Sequence, residues 1–186
     1  MRQRPPVPVL GFAAYSGTGK TTLLVRLLPL LSSRQIRVGV IKHAHHTFEI
    51  DHKGKDSYEL RKAGARQMLI GSERRWAMVV ESEEGRKTTL HDFIERLELE
   101  DLDLVLVEGF KPEKIPKIEI FRPALGKTPF YPKDRSIIAV ATDGELPVTT
   151  TLPVLDLNNP EQVAEFIIER FISPGNRIAG TTAGPS

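Results

Sequence analysis

The chain has 186 residues, enough for one domain with a substantial core. Its 26 basic and 24 acidic residues leave a net charge of +2, too near neutrality to argue for a nucleic-acid or membrane-surface partner. No cysteine is present, which excludes disulfide and thiolate chemistry and is compatible with a reducing cytosol.

The basic start, Met1 to Pro6, leads into an apolar stretch that holds no cleavage pattern, so no signal peptide is expected. Apolar segments are broken by Arg26 and Pro29 well short of a membrane span, and the expectation is a cytoplasmic protein. Val7 to Ala14 reads as a buried central strand that ends in a glycine turn. Lys20 to Ser32 follows as a helix with Leu23, Leu24, Leu27, Leu28 and Leu31 near one face, and Pro29 is expected to kink or shorten it. Ile36 to Lys42 is the next strand, which implies a right-handed parallel βαβ unit. A polar, His-rich segment then runs to Lys55.

Asp56 to Ala63 predicts a short helix, capped by Asp56 or Ser57 and ended by Gly64. Gln67 to Ile70 and Trp76 to Glu81 read as antiparallel strands at a sheet edge. Thr89 to Leu97 is spaced as a helix. Leu102 to Val107 is a buried strand ending in Glu108 and Gly109, and Ile118 to Arg122 and Ser136 to Thr142 supply two more. Asn159 and Pro160 open a last helix. Beyond Ser173 the Pro/Gly/Thr-rich chain has no apolar periodicity, so a single domain over 1–173 and a disordered tail over 174–186 are expected. Strands alternating with helices predict a three-layer, doubly wound α/β fold with a mostly parallel sheet and an antiparallel edge.

The chemistry gathers first at Ala14 to Thr22, a phosphate-binding loop of the P-loop NTPase type between strand and helix. Gly17 and Gly19 let the backbone turn its N–H groups inward around a phosphate, together with Ser16 and Thr18, and the helix start adds its dipole. Lys20 can reach the β- and γ-phosphates, the Thr21 hydroxyl is placed to ligate Mg²⁺, and Thr22 could touch the α-phosphate. Ala14 stands where the usual pattern has its first glycine. Such a loop needs an acid at the end of a hydrophobic strand to hold the Mg²⁺ shell, and Glu108 offers it. With Lys20, Glu108 is the candidate for any catalytic role.

Four of the five histidines lie between His43 and His52. They can belong to a transition-metal site using His45 and His46, to a solvated loop, or to a loop over a second anionic ligand with His43, Asp51, Lys55, Asp56 and Ser57 as its functional groups. Asp143, just after a late strand, is either a guanine acceptor or the first residue of an Asp-Gly turn. Lys111 to Lys117, followed by Arg122, Lys127, Lys133 and Arg135, is either solvated charge, the commoner case on a connecting loop, or the lining of an anionic groove or a partner surface.

These residues converge. The loop Ala14 to Leu23, the strand end Val40 to His43, the run Asp51 to Ser57, Ala63 to Ala65 and the run Val107 to Lys111 together resemble the molybdopterin-guanine dinucleotide biosynthesis protein B family over most of residues 8 to 172. The resemblance implies a GTP-binding homodimer with weak Mg²⁺-dependent GTPase activity that assists the molybdopterin guanylyltransferase. It also implies contact with molybdopterin or its guanine dinucleotide. The family's loop roles carry onto Gly17, Gly19, Lys20, Thr21 and Thr22, and its acidic role onto Glu108. Two other classes use the same loop: a small-molecule kinase, and a metal-delivery GTPase built on the His-rich segment.

Overall fold

The computed structural model describes residues 7–44, 49–82 and 88–172. In chain order the elements are β1 (Val9–Ala13), α1 (Lys20–Ser33), β2 (Val38–Lys42), α2 (Asp56–Lys62), β3 (Gln67–Gly71), β4 (Trp76–Val80), α3 (Leu90–Ile94), β5 (Leu104–Glu108), β6 (Lys117–Phe121), β7 (Ile137–Thr142), β8 (Val154–Asp156) and α4 (Pro160–Ile167). They divide into two compact units, one within Met1–His43 and Leu90–Ser186, the other within Ala44–Thr89.

The larger unit is a six-stranded sheet in the order β2-β5-β1-β6-β7-β8, parallel at every pairing. Strand side chains alternate between faces, and the alternation builds two apolar layers. Leu10, Phe12, Leu104, Leu106, Ile118 and Ile120 join Leu23, Leu27 and Leu31 of α1 and Val163 and Ile167 of α4 in one core. Val105, Val107 and Ile41 pack with Leu90 of α3 and Phe110 in another, so helices cover both faces of the sheet. Strands buried on both sides explain why β5 reads as a continuous apolar run.

Several expectations shift in detail. The β1-α1-β2 unit is parallel, but β5 lies between its two strands. Helix α1 runs through Pro29 to Ser33. Pro29 is exposed and Val25, whose carbonyl loses its helical donor, is 63% exposed, so the missing bond falls on the water side. Helix α2 begins one residue earlier than a cap at Asp56 or Ser57 requires: Lys55 is the cap residue, and it makes no side-chain capping bond. The antiparallel pair β3 and β4 is present as a two-stranded sheet of its own within the smaller unit, not hydrogen-bonded to the six strands. Strand β8, three residues with only Leu155 buried, was not legible. The expected tail, 174–186, lies outside the described residues, as do His45 and His46.

Candidate functional site

The site begins where β1 stops. Ala14 is 1% exposed and belongs to the core under α1, so the first loop position calls for a small apolar side chain, which alanine supplies. The loop then folds about the Tyr15 carbonyl, which accepts from Thr18 Oγ1 at 2.8 Å and from Lys20 Nζ at 3.2 Å. Thr18 is buried, while Ser16 and Gly17 are exposed. Gly19 is the cap residue of α1 at φ 91°, a left-handed conformation that a side chain resists, and no side chain caps the helix. The first N–H groups of a 14-residue helix therefore face the loop, with Thr21 and Thr22 exposed on its opening turn. Burial lowers the pKa of the half-buried Lys20 ammonium, with Glu108 acting in the opposite sense and Lys111 and Lys42 reinforcing the drop.

Glu108 closes β5 opposite Phe12 of β1 and Lys42 of β2, and its carboxylate lies 3.7 Å from Lys42 Nζ. The chain then reverses through Gly109 at φ 100° and Phe110 at φ 51°. A Cβ on residue 109 would come within 2.8 Å of His43 Cβ, so this turn needs glycine twice over. Phe110 is not glycine, and its left-handed backbone costs about 1–2 kcal/mol; its buried ring, against His43 at 4.4 Å and Phe93 at 5.6 Å, holds it there. The His43 N–H donates to the Glu108 carbonyl at 2.9 Å. His43 thus packs against the turn that follows Glu108.

Glu119 is a site-shaping residue that sequence reasoning did not single out, and Arg122, named there only among the basic residues after Lys117, makes contacts that the sequence did not foretell. Arg122 Nε donates to the Thr18 carbonyl at 2.9 Å, Nη1 pairs with the Asp143 carboxylate, and Nη2 lies 3.5 Å from where a Cβ on Gly19 would sit. The residue offered as a guanine acceptor is tied through one guanidinium to the phosphate loop. Glu119, 1% exposed, accepts from the N–H groups of Phe130 at 2.8 Å and Tyr131 at 2.7 Å, and burial raises its pKa above the usual carboxylate value. That clamp sets the Phe130 ring on Tyr15, with centroids 4.6 Å apart.

The remaining expected residues lie in the smaller unit. Asp51 is paired with Arg61, whose buried side chain also meets Glu49 at 2.7 Å and Glu81 at 2.6 Å. Hydrogen bonds donated to Glu49 first, then to Glu81, raise the Arg61 pKa further. Lys55 and Asp56 are exposed at the start of α2, and Ser57 is buried. Among the described residues, no three His, Asp or Glu side chains gather as a metal site. Nor, among them, is any helix long and apolar enough to cross a membrane.

A family model described as molybdopterin guanine dinucleotide synthesis protein B matches residues 9–143. The chain belongs to this family. Members are named for making a guanine dinucleotide, so their chemistry is nucleotide-related. An Escherichia coli relative, a molybdopterin-guanine dinucleotide biosynthesis adapter protein, is 47% identical over 91% of this chain and 96% of its own. One of the same description from Haemophilus influenzae is 44% identical over 87% and 88%. A crystal structure of a molybdopterin-guanine biosynthesis protein B superposes with a TM-score of 0.68 at 29% identity, covering 87% of this chain and 97% of that one. A Bacillus subtilis structure of the family, 23% identical with a TM-score of 0.69, shares the fold.

Proposed function

We propose that the chain is a GTP-binding adaptor in molybdopterin guanine dinucleotide synthesis, serving a guanylyltransferase and hydrolysing GTP slowly at most. The observation that carries this reading is the uncapped start of α1, opened by left-handed Gly19 and flanked by Lys20. Such a start offers unbonded N–H groups and the positive end of the helix dipole to an anion. The residues fit a Mg²⁺-bound nucleoside triphosphate. Backbone from Ser16 to Gly19, with Thr22, would hold the phosphates and Lys20 would neutralise them; Thr21 and Glu108 would hold Mg²⁺. When bound, that ion screens the phosphate charge.

Asp143 would read the guanine edge beside the open cavity of 410 Å³ that Gly144, Leu146, Val148 and Val154 help to line. Arg122 would then couple base recognition to the loop. Among the described residues, the acidic group that acts on Lys20 is Glu108, which would serve as the Mg²⁺ partner. No second carboxylate beside Lys20 among the described residues would activate water, which favours holding GTP over turning it over. Asp51, Lys55, Asp56 and Ser57 of the smaller unit would contact the second ligand, molybdopterin or its dinucleotide.

The second partner is another copy. In the hairpin, Leu69 faces Met78, Gly71 faces Trp76 and Gln67 faces Val80, and this shared face leaves Leu69, Trp76 and Met78 exposed. A two-stranded sheet with an open apolar face is marginal in water, so a homodimer contact there is the natural cover. A cytoplasmic location accords with guanylyl transfer from GTP. Titration calorimetry with Mg²⁺ tests the nucleotide assignment: GTP is expected to bind about tenfold or more tightly than ATP. Equal affinities contradict it.

A further inference from the structure

Lys42 and Lys111 are the two charges beside the loop that the nucleotide reading leaves without a task. Lys42 closes β2, directly opposite Glu108, with its Nζ 3.7 Å from that carboxylate and its side chain mostly exposed. Lys111 follows the two left-handed residues Gly109 and Phe110. Its carbonyl accepts at 2.8 Å from the Nζ of buried Lys117, which also binds Asp134 at 3.1 Å and Ser136 at 2.8 Å. Backbone strain and a buried clamp together fix where the Lys111 side chain starts. Its ammonium then lies 5.3 Å from the centroids of both Tyr15 and Phe130. Tyr15 is a loop residue whose carbonyl binds Lys20 Nζ, so Lys20 and Lys111 address the same residue. Among the described residues Lys111 forms no ion pair. Lys42 and Lys111 thus flank the end of β5, one opposite Glu108 and the other three residues beyond it, over Tyr15 of the loop. Like charges gathered at this density oppose one another until an anion joins them.

We propose that Lys42 and Lys111 form a second anion subsite beside the phosphate loop, which takes a phosphoryl group beyond the one cradled by the loop backbone. The chemistry is that of a terminal phosphate dianion, from either of two sources: the γ-phosphate of the nucleotide already on the loop, or the phosphate monoester of a second ligand. This rests on the loop's being a nucleotide site, and the test separates the two ideas.

Full-length protein is titrated calorimetrically, in Mg²⁺, with GTP, GDP and inorganic phosphate, the last with and without saturating GDP. The variants are Lys42→Ala with Lys111→Ala together, Lys111→Arg, and exposed Arg170→Ala as the control. A γ-phosphate source predicts that the double variant loses about tenfold to a hundredfold in GTP affinity while GDP affinity stays within about twofold. A monoester source predicts unchanged GTP and GDP binding and a loss of about tenfold for inorganic phosphate. In either case Lys111→Arg restores most of the affinity and Arg170→Ala changes nothing, which a packing effect would not reproduce. Equal losses for GTP and GDP, or wild-type affinity for all three ligands, overturn the subsite. Should the wild type bind neither nucleotide, the nucleotide reading fails, and the phosphate arm alone decides: a drop in the double variant retains the subsite, and no drop removes it.

Discussion

At the scale of single residues, Lys20 and Arg122 make the loop what it is. Lys20→Ala removes a charged donor aimed into the loop, and nucleotide affinity is expected to fall about tenfold to a hundredfold by calorimetry. The pH dependence has a definite sign. Burial lowers the Lys20 pKa below 10.5, and phosphate binding needs the ammonium form. GTP affinity should therefore decline with rising pH earlier than an ordinary lysine would allow. Over the same window the unfolded chain binds more protons at Lys20 than the folded one, so this group's contribution to stability rises with pH. Arg122→Ala frees the Thr18 carbonyl and Asp143 at once, and a loss of about tenfold in GTP affinity is expected, with Arg122→Lys unable to replace both contacts. The same calorimetric series checks it, and full affinity in Arg122→Ala would leave the tether without a role. The turn from β1 through Gly19 into α1 was legible in the sequence because its geometry is local, set by residues at fixed spacing. The contact of Arg122 with Thr18 was not legible, because it spans 104 residues and follows from β6 lying beside β1.

At the scale of elements, periodicity located most of the helices and strands, and the departures have physical causes. Pro29 is tolerated because its turn faces water. Strand β8 is too short for any alternation to emerge, and the place of β5 between β1 and β2 depends on pairing that no local pattern encodes. Helix α4 shows local coding at its clearest: Asn159 Oδ1 accepts from the Gln162 N–H at 3.2 Å, as the Asn-Pro signal predicts. Asn159→Ala should cost about 1 kcal/mol in chemical denaturation, by loss of that cap. Leu27→Ala on the fully buried face of α1 should cost about 2–5 kcal/mol in the same measurement, because a cavity opens beneath the loop.

At the scale of the whole molecule, the two units carry different features. The larger unit holds the loop proposed to bind phosphate, Glu108 and Arg122, and the smaller presents the apolar hairpin face. Leu69→Lys with Met78→Lys, opposite one another across that hairpin, should convert a dimer to a monomer in sedimentation while leaving GTP affinity unchanged. The central claim is that the GTP-loaded loop serves another enzyme's chemistry. Its most direct test is capture of purified molybdopterin guanylyltransferase by the immobilised protein, with Mg²⁺ and GTP, against Lys20→Ala. The account predicts capture by the wild type and a marked loss in Lys20→Ala. A clean absence of capture under GTP-loaded conditions would contradict it.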